Sequence, residues 1–135
     1  MSEIWIRRLL YVTGFWNVIG GASALADPAK HFAQMYNGAL SLDDPLQAFF
    51  FRATWLNVIA WGIGYILAGR FLAAGGAVLA AGGIGKLAYF FACMALFLSG
   101  RGSAMLLAAG VLDVIFAAFF AYVLWLRRSG KPRVA

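Results

Sequence analysis

The stretch GGIGKLAYFFACMALF (residues 82–97) decides the fold class of this chain. It is as apolar as the middle of a helix that crosses a membrane, yet it contains the charged side chain of Lys86. A membrane-spanning helix needs about 20 predominantly apolar residues, and the apolar residues continue on both sides of this stretch. An isolated charge at the centre of a bilayer costs about 2.5–3.5 kcal/mol on insertion scales. The sequence therefore predicts a span in which Lys86 has an acidic partner.

The composition of the whole chain agrees with lipid as the solvent. Of the 135 residues, 64% are apolar and only 12% are charged, whereas soluble domains have about 45–50% and about 25%. The net charge of +6 could indicate nucleic acid, but the basic residues cluster at the ends of apolar segments. That distribution is typical of membrane topology. We therefore predict membrane lipid, and no nucleic acid, as a partner.

Four stretches are long and apolar enough to span a membrane: residues 4–26, 46–68, 71–99 and 103–126. They predict a single domain over residues 1–135, an all-α transmembrane four-helix bundle. The first stretch has a second interpretation, because Arg7 and Arg8 before an apolar run that ends in ASALAD (residues 22–27) are typical of a signal peptide. Trp16 and Asn17 instead favour a helix that is retained and packs in the bundle.

Lysine and arginine residues at the ends of the spans predict the orientation. Seven of them fall on one side of the membrane: Arg7, Arg8, Arg70, Arg127, Arg128, Lys131 and Arg133. Two fall on the other side, namely Lys30 and Arg101. Because cytoplasmic loops carry the excess of basic residues, both termini are expected in the cytoplasm.

The loop between the first two spans contains two helix start signals. Asp27-Pro28 and Asp44-Pro45 each combine an acidic N-cap with proline at the first helical position. The second opens the second span. The first opens a short amphipathic helix over residues 28–37, whose apolar residues recur at helical spacing, so we expect it to lie flat on the outer surface.

His31 belongs to this short helix. It is the only histidine of the chain, and a metal or haem site would need further ligands. We therefore interpret His31 as a solvated surface residue.

Five strongly polar side chains lie inside the spans: Asn17, Arg52, Asn57, Lys86 and Asp113. At about 1.5 Å per residue from the outer ends of the helices, four of them fall about 14–20 Å deep. Each of the four spans thus supplies one member of a buried polar layer, with Trp61 on the same face as Asn57. Arg52 differs, because it lies about 140° around the helix from Asn57 and only about 10 Å deep. We place Arg52 near the outer mouth of this layer and expect its side chain to reach the outer surface. The alternatives are a contact with a second protomer or with an outward-opening pocket.

Asp113 is the only carboxylate at the depth of Lys86. The sequence therefore predicts an ion pair between the third and fourth spans, with the amides of Asn17 and Asn57 completing its hydrogen bonds. Such a pair can fix the register of two helices, or it can bind a polar group. The sequence leaves both roles open.

The layout of the chain resembles a known family. The outer loop contains DP, MYNG and DDP, and FRATWLNVIAWGIGYILAGR (residues 51–70), GGIGK (82–86) and GVLDVIFAAFF (110–120) follow. This pattern is similar to small four-span bacterial membrane proteins of the DoxX-like kind. The resemblance implies the four-helix fold and a bacterial inner membrane. It implies no catalytic residues.

Three classes of function remain open. We favour a non-enzymatic protein that is an accessory subunit of a larger membrane complex or binds a lipid-like ligand at Asn17, Asn57, Trp61, Lys86 and Asp113. A homodimeric transporter for a small molecule or a proton is the second class. An enzyme on a hydrophobic membrane substrate, with Lys86 and Asp113 as acid and base, is the third. No spacing in the sequence indicates a metal site, a cofactor or a catalytic constellation, so none is predicted.

Overall fold

The computed structural model describes residues 2–38 and 40–129. These residues form five α-helices: α1 (Glu3–Ala26), α2 (Pro28–Met35), α3 (Pro45–Arg70), α4 (Gly76–Leu98) and α5 (Ala104–Arg128). All but α2 are long and apolar enough to cross a membrane, which confirms the predicted helical architecture. The third span begins later than predicted, because α3 ends at Arg70 and a 3₁₀ turn (Leu72–Ala74) precedes α4. Two basic residues used for the orientation, Lys131 and Arg133, lie outside the described residues.

The predicted helix starts are present. The carboxylate of Asp44 accepts hydrogen bonds from the backbone N–H groups of Leu46 and Gln47 at the start of α3. Asp27 accepts one from the N–H of Lys30 at the start of α2. In both cases proline follows the cap, where its missing N–H costs no helical hydrogen bond.

The long helices pack as two antiparallel pairs, α1 with α3 and α4 with α5. In the first pair, Gly14 and Gly62 face each other so closely that a Cβ on either would lie 2.7 Å from the carbonyl oxygen of the other. In the second pair, a Cβ on Gly110 would lie 3.0 Å from Cβ of Cys93. Small residues allow membrane helices this close approach, so glycine fixes the axis distance within both pairs.

One end of the bundle, which we call the turn end, carries the connection between α3 and α4. Leu10, Tyr65, Leu79, Phe120 and Val123 from all four long helices form a buried apolar cluster here. Arginines from the two outer helices close the end: Nη1 of Arg7 donates to the carbonyl oxygens of Gly69 (2.7 Å) and Arg70 (2.8 Å), and Arg127 donates to that of Leu72. These arginines satisfy carbonyl groups left open at the end of α3 and in the turn.

The opposite end, which we call the α2 end, is covered by the short helix. Met35 of α2 is buried against Cys93 and Leu106. Ser103, the N-cap of α5, donates its hydroxyl proton to the carbonyl oxygen of Gln34 (2.6 Å), and its N–H donates to that of Met35 (2.9 Å). The helix ends two residues earlier than predicted, and Met35 packs on the bundle. α2 therefore links the end of α1 to the start of α5.

Candidate functional site

A cavity of about 420 Å³ lies between the two helix pairs, in the half of the bundle nearer the α2 end. All five helices contribute to its wall. Towards the turn end the pairs close on each other, since a Cβ on Gly82 would lie 2.6 Å from Cε1 of Tyr65 and one on Gly75 would lie 3.0 Å from Cβ of Ala68. The close contacts between α3 and α4 at Gly75 and Gly82 therefore mark the inner limit of the cavity.

The predicted ion pair between Lys86 and Asp113 is present in the cavity wall. The Lys86 side chain is only 6% exposed and that of Asp113 is 18% exposed. The ammonium group also lies 5.7 Å from the ring centre of Tyr65 and 5.2 Å from that of Phe116. The carboxylate and the two aromatic rings together stabilise a charge that has little access to solvent.

The pair retains unused hydrogen-bonding capacity. Within the described residues, the ammonium of Lys86 donates one hydrogen bond, to Oδ1 of Asp113, and Oδ2 accepts none. An ammonium group has three donors and a carboxylate about four acceptor sites. The hydroxyl of Tyr65, a third wall residue, forms no hydrogen bond to a described residue either. This end of the cavity can therefore bind a polar group without breaking the ion pair.

Asn17 and Asn57 line the cavity but do not complete the hydrogen bonds of the pair, so that part of the sequence prediction is wrong. Neither amide forms a hydrogen bond among the described residues. Asn17 is buried in α1 and Asn57 is exposed on α3, whereas the ion pair joins α4 and α5. The four residues of the predicted layer therefore line a common cavity, and among them only Lys86 and Asp113 bond to each other.

Of the two remaining predicted site residues, Trp61 lines the cavity and Arg52 does not. The ring centre of Trp61 lies 6.0 Å from that of Tyr65. Arg52 does not belong to the cavity wall: it is exposed and lines a second cavity, of about 400 Å³, with Phe49 and Leu56. The physical reason is the angle of about 140° between Arg52 and Asn57 around α3.

His31 lines the cavity from α2, which corrects its interpretation as a solvated surface residue. It is half-buried, and its ring meets that of Trp55 edge-on at 5.8 Å between centres. Nε2 lies 3.5 Å from Oγ of Ser23, and the buried Nδ1 has no hydrogen-bond partner among the described residues. Sequence spacing could have indicated this place, because His31 and the buried Met35 are four residues apart on one helix face.

Two cavity residues carry a signal that sequence reasoning missed. Among the helical glycines of the described residues, only Gly20 in α1 and Gly85 in α4 would place a Cβ more than 4 Å from any neighbouring atom. Both line the cavity. Glycine inside a helix is destabilising by roughly 0.5–1 kcal/mol relative to alanine, and close helix contact does not explain it at these positions. A side chain at either position would extend from the cavity wall into space that no described atom occupies.

Comparisons with family models, curated proteins and solved structures found no match to this chain. The resemblance to DoxX-like proteins therefore stays a prediction. Within residues 2–38 and 40–129, no group of three or more histidine, cysteine, aspartate or glutamate side chains could hold a metal ion. The chemistry of the site consequently rests on its one ion pair, its tyrosine hydroxyls, its amides and His31.

Proposed function

We propose that this chain is a multi-pass protein of the bacterial inner membrane, of the DoxX-like kind, that binds one lipid-like molecule between its helix pairs. The observation that carries the proposal is the cavity of about 420 Å³ between the helix pairs, with mostly apolar walls and the Lys86–Asp113 ion pair at its side. Ligand pockets in proteins have volumes of about 300–1,000 Å³ and combine apolar walls with a few directed polar groups.

The walls are suited to an amphiphile. Trp16, Trp55 and Trp61 supply large apolar surfaces, and aromatic side chains of this size bury about 150–250 Å² each. The hydrogen-bonding groups of Lys86 and Asp113 lie together at one place in the wall. A molecule with one polar group and an apolar body satisfies both parts at once.

The rim of the cavity supports access from the bilayer. Thr54, Asn57 and Trp61 on α3, and Gly85 on α4, line the cavity and are also exposed. In a membrane these positions border the lipid, because α3 and α4 would both be spanning helices. Trp16 on α1 and Met105 on α5 also line the cavity and are exposed. Since α2 covers the nearby end of the bundle, the path for a ligand runs sideways, either between α3 and α4 or between α1 and α5.

Gly20 and Gly85 support a ligand as well. Alanine at either position would meet no atom, and it would favour the helix by roughly 0.5–1 kcal/mol. Two glycines on opposite walls of one cavity are explained if their missing side chains leave room for a bound molecule.

Binding is better supported than transport or catalysis. A transported molecule would have to pass the turn end, where Tyr65, Leu79 and Phe120 are each at most 1% exposed. Next to the cavity, Oγ of Ser23 and Nε2 of His31 lie 3.5 Å apart. No hydrogen bond from a described residue orients the other ring nitrogen of His31, whereas a catalytic base is usually held in place by a third group. A larger complex or a homo-oligomer is compatible with binding, and such a partner would receive or deliver the lipid.

The proposal is tested by filling the cavity. Gly85→Phe adds a ring at a position of the cavity wall where a Cβ would meet no atom. Ala88→Phe is the matched control one turn further along α4, exposed and outside the cavity wall. Each protein is purified from membranes in mild detergent, and retained lipid is measured by native mass spectrometry. We expect one retained lipid for the native chain and for Ala88→Phe, and about tenfold lower occupancy for Gly85→Phe. Equal occupancy in all three proteins would place the lipid outside the cavity and contradict the proposal.

A further inference from the structure

The cavity wall contains one cation and one anion, which form an ion pair with each other. Lys86 and Asp113 are its only residues that carry a formal charge when His31 is neutral, within the part of the chain that the structure describes. Their charges sum to zero. A ligand with a net charge would therefore enter a site of low polarity without a counter-charge, and the desolvation of an unpaired ion is costly.

The unused hydrogen-bonding positions of the pair are of both kinds. Lys86 has donors left after its bond to Oδ1 of Asp113, and Oδ2 is left as an acceptor. A hydroxyl group can accept from the first and donate to the second at the same time. A carboxylate or an ether only accepts, and an alkylammonium only donates, so each of them would use one side of the pair and leave the other open.

We propose that the ligand of this cavity is an uncharged lipid with a free hydroxyl group, bound by Lys86 and Asp113 together. This inference rests on the proposed function and names the chemical class of its ligand. The hydroxyl oxygen accepts a hydrogen bond from the ammonium of Lys86, and the hydroxyl group donates a hydrogen bond to Oδ2 of Asp113. The hydrocarbon chain lies along the tryptophans of the wall and leaves the bundle sideways. The ion pair stays intact, so the bound state contains no unpaired charge.

The test compares four molecules with the same dodecyl chain: dodecanol, dodecyl methyl ether, tridecanoate and dodecylammonium. The full-length chain is placed in phosphatidylcholine nanodiscs that contain all four at equal mole fraction, and the bound species are measured by native mass spectrometry. Gly85→Phe is measured in parallel. The occupancy that is lost in this variant, which we call Gly85-sensitive, is the part that belongs to the cavity. We expect Gly85-sensitive occupancy by dodecanol to exceed that by each of the other three about tenfold.

Changing the charge of the wall should change the preference. Asp113→Asn leaves Lys86 without its anion, so the wall gains one positive charge, and we expect tridecanoate to become the preferred species. The double variant Lys86→Met with Asp113→Leu has an apolar wall, and we expect it to lose the preference for dodecanol over the methyl ether. Where Asp113→Asn does not fold, the double variant still tests whether the preference for dodecanol over the methyl ether depends on the ion pair.

The outcomes separate the two proposals. No Gly85-sensitive binding of any molecule overturns the proposed function. Gly85-sensitive binding in which the native chain takes tridecanoate or dodecylammonium at least as well as dodecanol leaves the binding function in place and overturns the hydroxyl assignment. Equal binding of dodecanol and its methyl ether overturns it as well, because the donor of the hydroxyl would then contribute nothing.

Discussion

Lys86 shows how one residue can hold a charge among apolar side chains. Its partner Asp113 and the rings of Tyr65 and Phe116 surround the ammonium group. The pairing could be predicted because the chain has one carboxylate at the right depth. The absence of hydrogen bonds from Asn17 and Asn57 to this pair could not be predicted, because the angular position of a residue on its helix does not give the distance between helices.

The ion pair makes a prediction about stability. Lys86→Met leaves the carboxylate of Asp113 unpaired, and Asp113→Leu leaves the ammonium unpaired, so each single change should lower the free energy of unfolding by about 3–5 kcal/mol. The double variant contains no ion, and we expect it to recover most of that loss. The measurement is reversible unfolding by sodium dodecyl sulfate in bicelles, followed by tryptophan fluorescence. If the double variant unfolds with a free energy as low as that of the less stable single variant, the two charges do not stabilise each other.

At the scale of helices, glycine has two opposite uses in this chain. Gly14 and Gly62 bring α1 and α3 into backbone contact, whereas Gly20 and Gly85 leave space unfilled. Composition and spacing do not distinguish the two uses, since all four residues lie in apolar helices. The same limit applies to α2: its apolar residues predicted a helix on a surface, and only the coordinates show that Met35 packs on Leu106.

The two uses predict opposite effects of one methyl group. A Cβ at position 62 would lie 2.7 Å from the carbonyl oxygen of Gly14, and backbone cannot move aside cheaply, so Gly62→Ala should destabilise the protein by about 1–3 kcal/mol. At position 20 the same methyl group would meet no atom, so Gly20→Ala should stabilise it by roughly 0.5–1 kcal/mol. Unfolding in bicelles measures both. Equal effects at the two positions would contradict the close crossing of α1 and α3.

For the molecule as a whole, hydropathy and charge predict the number of spanning helices but not the space between them. The cavity exists because the α1–α3 and α4–α5 pairs close on each other at Gly75 and Gly82 and remain apart further along. Nothing in the hydropathy of a helix records how far it lies from a helix of another pair. His31 lines this space from α2, which is held to the start of α5 by contacts between residues far apart in the sequence, such as those of Ser103 with Gln34 and Met35.

The orientation of the whole molecule is the last prediction. Five of the seven basic residues on the predicted cytoplasmic side lie at the turn end within the described residues, so that end should face the cytoplasm. The test uses single cysteines at two exposed sites, Ala33→Cys on α2 and Ala73→Cys in the 3₁₀ turn, with Cys93→Ala as the background. In intact bacterial spheroplasts, a membrane-impermeant maleimide should label position 33 and not position 73, and lysis should expose position 73. Ala88→Cys, near the middle of α4 and exposed, is the control that should react only after denaturation. Labelling of position 73 before lysis would show that the turn end faces outward, opposite to the prediction. Labelling of position 88 in intact membranes would contradict a spanning α4.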